Sequence, residues 1–268
     1  MNKYEHTQDR NFDGLAEHFK KKIYGSSKGE IRLQLLWEDL EENLLNSLEG
    51  NSRLSVLDVG GGIGQISAKL ANEGHNVTVT DVSKDMLELA KVHFREERVP
   101  AENFELVNAA IDQLSQTITA PSDLVMFHAV LEWLAEPEAG LTCAMEAVAE
   151  GGYLSLMFYN KHSVIMKNLL KGNFRKVISN DFVGEKGGLT PISPLDPIDV
   201  YGWLDAAGFD IISKTGIRVV NDYLNRDLQA RRSYEDILHM EKLLCRQEPY
   251  LSLGRYIHVI ARKKGSFS

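Results

Sequence analysis

The run Leu54-Ser55-Val56-Leu57-Asp58-Val59-Gly60-Gly61-Gly62-Ile63-Gly64 constrains this chain more than any other feature. Its apolar first half suits a buried parallel strand, which ends at an acid and a glycine-rich turn. An amphipathic helix starts near Gln65, with Ile66, Leu70 and Ala71 on one face. Strand, glycine turn and helix make a cradle: the backbone can approach a ligand closely, and the helix N-terminus offers unpaired N–H groups. The spacing is G-x-G-x-G, however, and Gln65 stands where a pyrophosphate fingerprint needs its third glycine.

A second acid sharpens the reading. Asn76 to Asp81 reads as the next strand, with Asp81 at its carboxyl end. A carboxylate there can accept both hydroxyls of a ribose. An acid before the glycine turn and another ending the second strand form the pattern of S-adenosyl-L-methionine (SAM) binding. SAM has a ribose and an adenine but no pyrophosphate, so the missing third glycine is no obstacle. Asp58, Gly60, Gly61, Gly62 and Asp81 are thus the expected cofactor residues, and S-adenosyl-L-homocysteine the expected product.

The alternation continues beyond the turn. Strands are expected at 54–59, 76–81, 104–108, 123–128 and 152–158, with helices at 64–73, 84–97, 110–118 and 138–149. Repeated strand–helix units imply a parallel sheet with helices on both faces, and ligands outside the carboxyl ends of the strands. A helix at 199–207 ending at Gly208, a sixth strand at 209–220 and a final strand at 255–262 complete the count. The expected fold is therefore α/β and Rossmann-like, with a mostly parallel seven-stranded sheet. Residues 1–52 read as a helical extension covering the cofactor site, with a basic stretch at Lys20-Lys21-Lys22; residues 53–268 read as the SAM-binding domain. Insertions are expected at about 159–197, glycine- and proline-rich and irregular, and at about 222–250, mostly helical.

Of the 268 residues, 43% are apolar, and no apolar run approaches a membrane span. The start, Met1-Asn2-Lys3-Tyr4-Glu5-His6, has no apolar signal core, so a cytoplasmic location is expected. Cys143 and Cys245, lacking C-x-x-C spacing, are expected to be buried, reduced thiols. A monomer is favoured. The net charge of −8 hides an asymmetry. Residues 161–268 carry 17 Lys and Arg against 12 Asp and Glu, whereas residues 1–160 carry 13 against 26. A solvated face or a polyanion partner would account for the basic half.

The segment Phe127-His128-Ala129-Val130-Leu131-Glu132-Trp133 narrows the chemistry. It lacks the acid-or-asparagine-Pro-Pro-aromatic turn typical of exocyclic amine methylation. It lacks the cysteine nucleophile that carbon-five methylation of a pyrimidine needs. No acidic cluster has the spacing of a magnesium site, so no metal is expected. His128 fits a cofactor or substrate contact, a general base, or a polar cap of its strand. Trp133 and Tyr159 lie near the expected pocket mouth and fit either base stacking or plain packing.

Several segments together resemble one family. They are Asn11-Phe12-Asp13, Ile23 to Gly29, Phe127 to Trp133, Leu154 to Asn160 and Arg246-Gln247-Glu248-Pro249-Tyr250. The chain is similar, from about Gln8 to Lys263, to the bacterial tRNA 5-carboxymethoxyuridine methyltransferases. The resemblance implies SAM-dependent esterification of the carboxylate of a modified wobble uridine, with the tRNA anticodon region as partner. It implies that Arg32 contacts the methionine carboxylate of SAM, that Ala110 and Ile111 flank the adenine, and that His128 sits beside the cofactor. Around Glu185 to Pro194 the chain is less basic than a tRNA contact requires.

A carboxylate is already deprotonated at pH 7. No general base is therefore expected, and catalysis rests on proximity and orientation. Substrate contacts are expected from Trp133, Tyr159, Asn160, Arg231, Arg232, Arg246 and Arg255. Two alternatives stand beside this reading: a SAM enzyme acting on a small-molecule carboxylate or hydroxyl, and a SAM-binding protein without turnover.

Overall fold

The computed structural model describes residues 26–48, 52–182 and 193–265, together with Asp9, Asn11, Asp13, Gly14 and Pro191. Seven strands form one sheet: β1 (Ser55–Val59), β2 (Asn76–Asp81), β3 (Phe104–Asn108), β4 (Ser122–His128), β5 (Val148–Tyr159), β6 (Phe209–Ile217) and β7 (Tyr256–Lys263). Their order is β3-β2-β1-β4-β5-β7-β6. All neighbours run parallel except β7, which is antiparallel to both β5 and β6. The chain winds outward from β1 in one direction and from β4 in the other, so a crevice opens between the carboxyl ends of β1 and β4.

The helices are α1 (Ser27–Asn43), α2 (Gln65–Asn72), α3 (Lys84–Glu96), α4 (Leu114–Thr117), α5 (Pro137–Glu146), α6 (Lys161–Leu170), α7 (Phe174–Ser179), α8 (Pro197–Ala206), α9 (Arg226–Arg231) and α10 (Tyr234–Leu244). Several open on side-chain caps. Ser26 Oγ accepts from Gly29 N, Ser83 Oγ from Met86 N and Ser233 Oγ from Asp236 N. The core is built from the two faces of the sheet. Leu57, Val125, Phe127, Leu154 and Phe158 face one side, against Leu141 and Leu204; Val56, Leu124 and Met126 face the other, against Leu40, Leu70 and Phe94. Burying each Leu or Phe contributes about 1.5–3 kcal/mol.

Four expectations are corrected. The helix expected at 138–149 ends at Glu146, because Val148 already pairs with Ser122 across an irregular strand start. The helix expected at 110–118 is a 3-10 turn, Ile111–Gln113, followed by the single turn α4. The region 159–197 is not simply irregular: α6 and α7 lie within it. Asn160 starts α6 by accepting from His162 N at 3.0 Å. Cys245 is buried, but Cys143 is only half-buried; both are free thiols. Lys20 to Lys22, and all of Glu185 to Pro194 but Pro191, Ser193 and Pro194, lie outside the described residues.

Candidate cofactor and substrate site

The main cavity sits at the crevice between β1 and β4. Its walls include Arg32, Asp58, Gly60, Gly61, Gly62, Asp81, Ala110, Ile111 and His128, so every residue expected at the cofactor is brought to one place. Trp133 joins them. Leu33, Leu36, Met86, Val130, Leu134 and Met157 supply apolar wall. Asp9, Asn11 and the α1 residues come from the first 52 positions.

The glycine turn holds this shape for definite reasons. Gly60, Gly62 and Gly64 adopt φ of 66°, 58° and 69°, a region costly for other residues. A Cβ on Gly61 would lie 2.5 Å from Asp58 Oδ2 and 2.7 Å from Val79 Cγ1. One on Gly60 would lie 2.7 Å from Val130 Cγ2. The turn is tied to the second strand, because Gly61 N donates to Thr80 O and Gly62 N donates to Asp81 Oδ2, both at 3.0 Å. Asp81 Oδ1 accepts from Ser83 N at 2.8 Å, which leaves each carboxylate oxygen with a free acceptor direction.

Asp58 lies beneath the turn. Its Oδ2 accepts from Ser67 Oγ at 2.6 Å, and burial, with the neighbouring Asp81 charge, pushes its carboxyl up to about 7. Burial also raises Asp81, against the pull of its two backbone donors. His128 is pushed well below the ordinary histidine value by burial and by the charges of His258 and Arg32. A neutral imidazole therefore lines the cavity beside a cation.

A second group of charges stands outside the cavity wall. Glu132 is fully buried, and burial pushes its carboxyl up to about 7 against the pull of Arg32 and Arg255. The Arg255 guanidinium stands 4.4 Å over the ring of Tyr159. Asp222, 7% exposed, gathers Arg218 at 2.7 Å, Lys167 at 3.1 Å and Lys28 at 3.9 Å. Of these residues the sequence singled out only Tyr159 and Arg255. Lys28 and Glu132 lie inside segments that carried the resemblance, which was the signal available.

The other expected substrate residues are placed differently. Tyr159 and Asn160 are buried and outside the cavity wall. The Asn160 amide donates to Ser252 O and Gly254 O, tying β5 to the turn before β7. Arg246 pairs with Asp39 at 3.0 Å and with Glu42. Arg231 and Arg232 are exposed at the end of α9. Among the described residues no group of three His, Cys, Asp or Glu is arranged to hold a metal ion, and no helix is long and apolar enough to cross a membrane.

The winding of the sheet, the single reversed strand β7 and the cavity at the crevice define a class I SAM-dependent methyltransferase fold. A methyltransferase-domain model matches residues 57–154. The solved magnesium protoporphyrin IX methyltransferase of Synechocystis PCC 6803, with bound SAH, superposes with a TM-score of 0.62 at 17% identity, covering 94% of this chain and 96% of that one. A ubiquinone biosynthesis O-methyltransferase of Hydrogenovibrio crunogenus is 27% identical over 57% of this chain and 60% of its own length. The tRNA 5-carboxymethoxyuridine methyltransferase of Escherichia coli K12 is 45% identical over 259 residues, 97% of this chain and 98% of its own. The chain belongs to the tRNA 5-carboxymethoxyuridine methyltransferase family.

Proposed function

We propose that this protein methylates the carboxylate of 5-carboxymethoxyuridine at the tRNA wobble position, forming the methyl ester from SAM. The observation that carries the reading is the 45% identity, spread over 97% of the chain, to a relative of that activity. When bound, SAM supplies an electrophilic methyl group on a sulfonium. The residues present fit it. Asp81 offers two acceptor directions for ribose hydroxyls, Arg32 offers a cation for the methionine carboxylate, and Ala110 and Ile111 offer apolar contact for the adenine.

The chain's task is then to orient. The substrate carboxylate arrives ionised, so no side chain need take its proton. His128, held neutral, serves as a contact rather than an acid. Four cations, Lys28, Lys167, Arg218 and Arg255, surround the buried carboxylate of Asp222. That surplus of positive charge adjoins the cofactor cavity through Glu132 and suits an anionic substrate. Exposed Arg231 and Arg232 extend a path for phosphates toward the anticodon stem. A monomer in the cytoplasm suffices for this activity.

The test is nucleoside mass spectrometry of tRNA from cells lacking the protein. The methyl ester should vanish and its free carboxylate accumulate. Unchanged nucleosides, with SAM still bound by the purified protein, would favour the small-molecule alternative.

A further inference from the structure

We propose that the buried series Asp39–His258–Ser155 fixes the tautomer of His128, and so sets whether His128 presents a lone pair or an N–H to the cofactor cavity. The proposal rests on the reading of that cavity as the SAM site. Strands β4, β5 and β7 lie side by side, with Ser155 opposite Met126 on β4 and Ile260 on β7. Two positions from those partners, on the same face, stand His128 and His258. Helix α1 packs over this face and brings Asp39.

The contacts form one continuous line. His128 Nε2 is 2.7 Å from Ser155 Oγ, which is 2.8 Å from His258 Nε2. His258 Nδ1 is 2.5 Å from Asp39 Oδ2. Asp39, Ser155 and His258 are 0% exposed, and of the four residues His128 alone lines the cavity.

Counting hydrogens gives the line a direction. Burial alone would raise the Asp39 carboxyl, but the hydrogen bonds of His258 and Thr215, with the charge of Arg246, hold the group below its ordinary value. A carboxylate only accepts, so His258 Nδ1 carries a hydrogen. Where Nδ1 holds the only hydrogen of that ring, Nε2 is a lone pair that accepts the Ser155 hydroxyl hydrogen. The Ser155 oxygen must then accept from His128 Nε2–H. Neutral His128 is left with a bare Nδ1, the ring nitrogen remaining for the cavity. An acceptor suits a cofactor carrying sulfonium and ammonium charge; an N–H would oppose it.

Asp39→Asn tests this by an isosteric change. Asn43 Nδ2 and Arg246 Nη2 donate to Asp39 Oδ1 at 2.8 and 3.0 Å. They would pin the amide oxygen and turn its NH2 toward His258. Every hydrogen along the line then reverses, and His128 carries its proton on Nδ1. The readout is histidine 15N NMR of the ligand-free protein at pH 8.5. Wild type should show His128 protonated on Nε2, Asp39→Asn should show it on Nδ1, and Ser155→Ala should show no single tautomer. SAM affinity of Asp39→Asn, by calorimetry, should fall about fivefold or more. A wild-type His128 protonated on Nδ1, or the same tautomer in wild type and Asp39→Asn, overturns the proposal. If Asp39→Asn does not fold by circular dichroism, Ser155→Ala decides, and a single persistent tautomer overturns it. If the tautomers shift as expected but wild type binds no SAM, the reading of the cavity falls and the hydrogen-bond line stands.

Discussion

At the scale of the residue, buried acids dominate the site. Asp81 closes the second strand with both oxygens half-satisfied by backbone, so its remaining acceptor directions face the cavity. Asp81→Ala should weaken SAM binding at least tenfold while the circular dichroism spectrum is kept, since unmatched hydroxyls cost roughly 1–3 kcal/mol each. Calorimetry showing wild-type affinity would reject the ribose assignment. Glu132 and Asp58 carry a different consequence. Both titrate near 7 in the folded protein, raised from ordinary carboxyl values chiefly by burial. Between the two values the folded state binds more protons than the unfolded one, so stability falls as pH rises from about 4.5 to 7. Glu132→Gln should remove part of that decline, on the order of 2 kcal/mol, and leave the part due to Asp58. Thermal melts from pH 5 to pH 8 in which the two proteins decline in parallel would show that Glu132 is not held protonated.

At the scale of the element, the turn between β1 and α2 is the least tolerant piece. Gly61→Ala forces a methyl against the Asp58 carboxylate and Val79, both on packed strands. It should lower the urea midpoint by an amount corresponding to about 1–3 kcal/mol. An unchanged midpoint would mean that the turn relaxes freely. This turn was legible in the sequence because its meaning is local: acid, glycines and helix lie within about a dozen residues, and backbone geometry dictates their spacing. The parallel pairing of β1 to β5 followed from the same alternation. The start of α6 was hidden because Asn160 looks like an ordinary loop residue until its side chain is seen capping His162. The basic group around Asp222 was hidden for another reason. Lys28 comes from α1, Lys167 from α6 and Arg218 from the segment after β6, so no window of sequence contains it. Arg246 illustrates the converse: the sequence shows an arginine, but not the acids 204 and 207 residues away that engage it.

At the scale of the whole molecule, charge is divided, with the positive excess in residues 161–268. If tRNA lies on that half, its affinity should fall with salt by a log–log slope of about −0.7 to −0.9 per phosphate contact. Arg231→Ala/Arg232→Ala should reduce the slope by about one unit per lost contact and leave SAM affinity unchanged. A slope near zero in wild type would sink the tRNA reading, and an unchanged slope in the double variant would move the footprint elsewhere. Arg246, already paired with Asp39 and Glu42, should contribute little to it. The partners of α1 have a further consequence. Helix α1 carries Arg32 to the cavity, yet its polar anchors include Lys242, Arg246 and His258, 204 to 219 residues further along the chain than their partners. During synthesis the helix therefore leaves the ribosome long before these polar partners exist, and its first support is apolar, Leu36 and Leu40 packing with Val56, Ile66 and Leu70. The central strands can pair first, whereas the bond from Asp39 to His258 forms only once the last strand of the sheet is made. The element that begins the cofactor site thus gains its last polar anchors only when the end of the chain has been made.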